Sequence, residues 1–196
     1  MKKAIEFYFD FGSPTSYLAW TQLPQIAANA GAQLNYHPML LGGVFQATGN
    51  HSPATILAKG RWMQQDMTRF AARYGVPFRQ NPFFPINTMQ LMRAAIGIQV
   101  RHPELFERYV ATIFPAMWAD GLDLGDLTVL MALLLKAGFD TQQIQALVQD
   151  QEVKDKLRTE TEAAVARGVF GAPSMFVGEE LFFGQDRLDF VKQALH

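Results

Sequence analysis

"FYFDFGSPTSYLAW", residues Phe7–Trp20, decides how this chain is read. Aromatic residues run up to Asp10, and Gly12 breaks the strand. Ser13-Pro14 then has the form of a helix start, with serine at the N-cap and proline at the first helical position. Extended upstream, "AIEFYFDF" predicts a strand over Lys3–Asp10. Downstream, a helix is expected through "TSYLAWTQLPQIAANA", bent at Pro24 and stopped at Gly31. "AQLNYHPML" (Ala32–Leu40) is a second strand. Two strands joined through one helix form a βαβ unit, so they should run parallel with a right-handed crossover.

Beyond Leu40 the pattern changes. "GGVFQATGNHSP" reads as a loop, and from Ser52 to about Gly168 the periodicity is helical almost throughout. Ser52-Pro53 repeats the cap-then-proline signal for a helix that closes near Gly75. "VPFRQNPFFPIN" is an extended connector. Helices follow in "TMQLMRAAIGIQVRH", "PELFERYVATIFPAMWADG", "DLTVLMALLLKAG", "DTQQIQALV" and "QEVKDKLRTETEAAVARG". Strand signals return in "APSMFVGEELFFGQDRLDFVKQALH": a strand, a turn at Gly178-Glu179, a short strand and a helix capped near Asp186. The first and last pieces form one mixed sheet, with a helical block between them.

Composition narrows the function. The chain has 196 residues, 49% hydrophobic and 18% charged, so it is globular and needs no metal or disulfide staple. A net charge of -1 with no run of like charges gives nucleic acids and anionic membranes no electrostatic hold. The longest apolar stretch, Leu127–Leu135, is far short of the ~20 residues that span a bilayer. Cysteine is absent, which removes disulfides, thiolate metal sites and a protein thiol nucleophile. His37, His51, His102 and His196 make no metal-ligating spacing, so no metal is expected. With no uninterrupted signal-peptide core in "MKKAIEFYFDF", a soluble cytoplasmic protein is the expectation.

The order βαβ, helical block, ββα, with Ala172-Pro173 just before the third strand, resembles the thioredoxin-like fold. A large all-helical insertion resembles its DsbA-like branch. "FDFGSPTSYLA", "TGN", "KG", "FPINT", "VFGAPSMFVG" and "FFGQDRL" together resemble kappa-class glutathione transferases and 2-hydroxychromene-2-carboxylate isomerases over essentially the whole chain. The resemblance implies an α/β fold in two parts. Residues 1–48 and 166–196 would form a thioredoxin-like glutathione-binding domain, and residues 49–165 an inserted helical domain.

In redox members of that superfamily the helix start carries two cysteines. Here Ser13 and Ser16 stand in their places, so thiol–disulfide exchange is excluded by the atoms present. A helix N-terminus that favours negative charge, plus a hydroxyl donor, suits a thiolate supplied from outside. The resemblance identifies it as that of glutathione, with Ser13 catalytic; on its own, Ser13 reads as a helix cap. Gly12 departs from the larger residue, often leucine, usual before that serine.

For the other positions the resemblance implies glutathione contacts where the residues alone read more plainly. Ala172, otherwise a residue before an ordinary trans proline, would precede a cis bond and offer free main-chain groups to a peptide ligand. Phe183, Gly184, Gln185 and Asp186 would hold the γ-glutamyl end, Gln185 at its carboxylate and Asp186 at its ammonium; the plain reading is a cap at Asp186. Asn50 and Lys59, by themselves surface residues, would reach over Ser13. Asn87 and Thr88 would line a substrate wall. Trp62, Met63, Phe83, Phe84, Trp118 and Phe183 would supply apolar surface, although helical spacing alone marks such residues as core. His51 reads as a solvated loop residue.

The implied function is glutathione-dependent isomerisation of a 2-hydroxychromene-2-carboxylate, a small aromatic 2-oxo acid in its ring-opened form, within aromatic catabolism. A kappa-class transferase or peroxidase acting on other electrophiles uses the same site. A non-catalytic DsbA-like binding module has no need of Ser13, Asn50, Lys59 and Asp186 together. A homodimer is implied by the family.

Overall fold

The computed structural model describes residues 3–196 and contains one four-stranded sheet in the order β2-β1-β3-β4. Strand β1 (Ala4–Phe9) pairs in parallel with β2 (Gln33–Pro38), Ala4 opposite Gln33 and Phe9 opposite Pro38. Its other edge pairs antiparallel with β3 (Ser174–Val177), which hairpins through Gly178 into β4 (Glu180–Phe183). The first and last segments of the chain therefore share one mixed sheet, as their strand signals predict.

Helix α1 (Pro14–Ala30) joins β1 to β2. Ser13 caps it by accepting the Ser16 N–H, and Gly31 closes it at φ 61, a conformation glycine reaches without a Cβ clash. Residues 42–48, expected as part of a loop, lie in helix α2 (Leu41–Thr48) instead. The two glycines there disfavour a helix in isolation. Tertiary packing overrides them: Val44 is buried, and a Cβ on Gly43 would lie 3.1 Å from Thr161 Cγ2, so the glycine permits close approach. A 3-10 turn (Pro53–Thr55) leads to α3 (Leu57–Tyr74). The connector 76–88 carries no helix or strand. Then come α4 (Met89–Arg101), α5 (Pro103–Trp118), α6 (Leu127–Lys136), α7 (Thr141–Gln149) and α8 (Gln151–Ala166). A 3-10 turn (Gln185–Arg187) and α9 (Leu188–Ala194) end the fold.

The period-two alternation of β1 sorts its neighbours. Ile5, Phe7, Phe9 and, just beyond, Phe11 are fully buried in the larger core, with Phe114 of α5 centred 5.6 Å from Phe9 and 4.8 Å from Phe11. Each such ring contributes roughly 1.5–3 kcal/mol by burial. Tyr8, on the opposite face, packs with Met39, Val44, Ala164, Val169 and Phe176. Asp10 continues that second register. It leaves the strand pointing away from the aromatic core, and the site is built on it.

Candidate active site

The turn from β1 into α1 is tied twice by one residue. Asp10 accepts the Ser13 N–H on its main-chain oxygen (3.0 Å) and the Gly12 N–H on Oδ1 (2.8 Å). Its Oδ2 accepts the Leu41 N–H at the head of α2 (2.8 Å), and the Thr88 side chain, before α4, stands near the carboxylate. Burial pushes the Asp10 carboxyl above its ordinary value, and these polar neighbours pull it part of the way back. Asp10 thus fixes the loop before Ser13 to the start of α2. A Cβ on Gly12 would sit 3.1 Å from Thr88 Cγ2 and 3.4 Å from Asp10 Oδ1, so a side chain there would require Thr88 to give by a few tenths of an ångström.

Ser13 is 4% exposed, and its Oγ is in contact with three polar groups. It accepts the Ser16 N–H (3.1 Å), lies 3.0 Å from Thr15 Oγ1, and can donate to the Ala172 carbonyl at 3.0 Å. Thr15 Oγ1 is itself 3.2 Å from that carbonyl. Ser16 is fully buried, its hydroxyl has no partner among the described residues, and it does not line the cavity. Ser13 is both a helix cap and the hydroxyl that faces open space.

That space is a cavity of about 940 Å³, at the upper end of small-ligand sites. Ser13, Asn50, Thr88, Ala172, Phe183, Gly184, Gln185 and Asp186 all line it. The Ala172–Pro173 peptide is cis. The Ala172 carbonyl is not free, since the Ser13 and Thr15 hydroxyls occupy it, whereas its N–H has no partner among the described residues. Asn50 ties down the loop before β3, donating from Nδ2 to the Phe170 carbonyl (2.8 Å) and accepting the His51 N–H. Phe183 packs on Phe170 with ring centres 4.6 Å apart. Gly184 has φ 97, and a Cβ there would come within 2.5 Å of Asp186 Oδ1. The Gln185 carbonyl accepts from Tyr74 (2.6 Å), whose hydroxyl burial pushes up to about 12, so it stays a donor at any physiological pH. Asp186 caps no helix: it lies inside the 3-10 turn and pairs with Arg187 at 2.7 Å.

Two predicted residues stand outside the cavity lining. Lys59 is exposed and does not line the cavity, although its helix neighbours Leu57, Gly60, Arg61, Trp62 and Met63 do. Asn87 turns its Oδ1 to the Met89 N–H (3.0 Å), at the start of α4. Of the expected apolar wall, Trp62, Met63, Phe84 and Phe183 line the cavity and Phe83 does not. Trp118 is a core residue, donating from Nε1 to the Phe11 carbonyl at 2.7 Å. His51 does line the cavity.

Asp10, Thr15 and Arg61 are among the lining residues that escaped the sequence reading. Arg61 is the cavity's one Lys or Arg and forms no ion pair among the described residues. Its signal was available in the helical spacing from Leu57. Thr15 and Asp10 gave none, since their distant partners lie 157 and 31 residues away in the chain. Among the described residues there is no cluster of three His, Cys, Asp or Glu side chains able to hold a metal, and no helix long and apolar enough to cross a membrane.

Comparison with known proteins agrees with this architecture. The family model for the DSBA-like thioredoxin domain matches residues 4–196. A 2-hydroxychromene-2-carboxylate isomerase from Sphingobium xenophagum is 34% identical over 197 residues, covering 100% of this chain and 99% of that one. The solved structure of a 2-hydroxychromene-2-carboxylate isomerase superposes with a TM-score of 0.85 at 31% identity, covering 98% of this chain and 94% of its own. Human glutathione S-transferase kappa 1 is 25% identical, covering 100% of this chain and 92% of the human protein.

Proposed function

Because the chain belongs to the DsbA-like thioredoxin-domain family and, within it, to the 2-hydroxychromene-2-carboxylate isomerases, we propose that it is a glutathione-dependent isomerase. Its substrate would be a 2-hydroxychromene-2-carboxylate, whose ring-opened form is converted to the trans 2-oxo acid. The observation that carries this reading is the buried Ser13 hydroxyl, facing the cavity from the N-terminus of α1 where a redox enzyme of this fold holds a thiol. The residues present suit glutathione. Ala172 offers an unpaired N–H to an extended peptide, the α1 N-terminus has no acidic side chain in its first turn, and Asp186 places a carboxylate at the rim.

Bound there, glutathione would supply a thiolate able to add reversibly to the conjugated double bond, which then turns as a single bond. Ser13 and the α1 N-terminus stabilise negative charge on sulfur. Ala172, with Gly184 and Gln185, holds the peptide backbone in register. Arg61 is the guanidinium available for the substrate's carboxylate, and Trp62, Met63 and Phe84 face its ring. Holding the two reactants in one cavity converts an encounter in solution into a step within a complex. We place the enzyme in the cytoplasm as a homodimer; the absence of cysteine suits a reducing compartment.

A kappa-type transferase uses the same charge stabilisation, and the likeness to the human kappa enzyme supports it as the second reading. Product analysis decides between them. The isomerase returns an isomerised acid with glutathione unconsumed, whereas the transferase leaves a stable thioether. Calorimetry showing no glutathione binding would overturn both.

A further inference from the structure

The Ser13 hydroxyl has one proton and more than one claim on it. It can give that proton to the Ala172 carbonyl at 3.0 Å or to Thr15 Oγ1 at 3.0 Å, while its own oxygen accepts the Ser16 N–H. A proton committed to Ala172 is not available to a sulfur in the cavity. Releasing it would strip a half-buried carbonyl of a partner unless another donor stood ready. Thr15 is that donor, because its Oγ1 lies 3.2 Å from the same carbonyl and it belongs to the cavity wall.

Thr15 occupies the first turn of α1, where the usual target of a helical threonine, the carbonyl four residues back, lies outside the helix. Its β-branched side chain has few rotamers, and the one adopted reaches across to Ala172, 157 residues away. Two hydroxyls and one carbonyl thus form a closed triangle with sides of 3.0, 3.0 and 3.2 Å.

We infer that Thr15 is a positioning residue for Ser13: it takes over the Ala172 carbonyl so that the Ser13 proton can turn into the cavity toward a bound thiolate. The inference rests on the glutathione reading of the site and adds to it a residue that acts through Ser13. No proton is gained or lost in the exchange. Thr15 moves its hydrogen from Ser13 Oγ to the carbonyl, and Ser13 moves its hydrogen from the carbonyl to sulfur.

The test begins with calorimetry of wild-type protein and glutathione, followed by titration of the bound thiol through its thiolate absorbance. Thr15→Val keeps the shape and removes the hydroxyl; Thr15→Ala is a second deletion should the valine variant fold poorly, and thermal melts report folding. The bound thiol's apparent pKa should rise by about one unit in either deletion, a roughly tenfold loss of thiolate at a pH below both values. Glutathione affinity measured where the thiol is protonated should hold. Thr15→Ser should restore the wild-type titration. In a Ser13→Ala background, Thr15→Val should shift nothing further, because the two hydroxyls act as one unit. An unchanged titration in the deletions overturns the inference, and so does an equal shift with Ser13 absent. If wild-type protein binds no glutathione, the glutathione reading itself fails, a result distinct from both.

Discussion

The two sides of the cavity are built by different physics. On the sheet side, Asp10, Ser13, Thr15 and Ala172 are joined by short hydrogen bonds between segments remote in sequence, and Asp10 and Ser13 are almost wholly buried. On the α3 side, Leu57, Arg61 and Trp62 line the same space while exposed; Leu57 keeps 74% and Trp62 58% of its surface in water. The first wall is preorganised, so its geometry is paid for in folding and is present before a ligand arrives. The second is held only by its helix and gains burial when something apolar enters. Changes on the sheet side should therefore damage stability and thiol chemistry, and changes on α3 should alter only which electrophile is held.

The largest effect is expected at Asp10. Asp10→Ala leaves the Gly12 and Leu41 N–H groups without their acceptors, at about 1–3 kcal/mol for each buried group left unpaired. Chemical denaturation should show a loss of roughly 2–6 kcal/mol, accompanied by loss of activity as the Ser13 turn slackens. Asp10→Asn should cost less but not nothing, because its amide N–H₂ must face one of two backbone donors. The pH dependence has a definite sign. Burial holds the folded-state pKa above the ordinary 3.8, so the folded protein binds the proton more tightly than the unfolded chain does. Asp10's contribution is full below 3.8 and declines as pH rises from there through the raised folded value. Comparing wild type with Asp10→Asn over that window should reveal this slope in wild type alone.

Ser13→Ala comes next and separates the two roles of that hydroxyl. Losing a hydrogen bond to a charged group should raise the bound thiol's pKa by about one to two units. Losing the cap should cost about 1 kcal/mol of stability. A variant with full thiolate signal and full activity would reduce Ser13 to a helix cap and leave the α1 N-terminus to activate the thiol.

The same contrast explains what the sequence could reveal. The parallel first strand pair, the late strand pair and the helix limits at Ser13, Gly31 and Gly75 were legible because caps, αL glycines and period-two aromatics are local signals. Helix α2 was hidden because its two glycines argue against a helix, and only contact with α8 shows why they are tolerated. Asp10 looked like the polar end of a strand, and nothing near it in sequence shows Leu41 or Thr88 meeting it. Thr15 resembled an ordinary first-turn residue for the same reason. By residue type alone Asp186 suits a helix cap, whereas the 3-10 turn and Arg187 give it other surroundings.

The smallest effects distinguish two neighbouring cations on α3. Arg61 lines the cavity, whereas Lys59, two residues earlier, does not. An exposed guanidinium meeting a carboxylate contributes on the order of 1 kcal/mol, so Arg61→Gln should raise KM for an anionic electrophile about fivefold. The thiolate titration should not move, because the Ser13 wall is untouched. Replacing the substrate's carboxylate by a neutral ester should abolish the difference between wild type and Arg61→Gln, which rules out a merely structural effect of the substitution. Lys59→Gln should leave KM, kcat and the titration within error, as expected for a solvated charge off the cavity face. If instead Lys59→Gln raised KM and Arg61→Gln did not, α3 would have to rotate when substrate binds, and the exposed wall would be the moving part of the site.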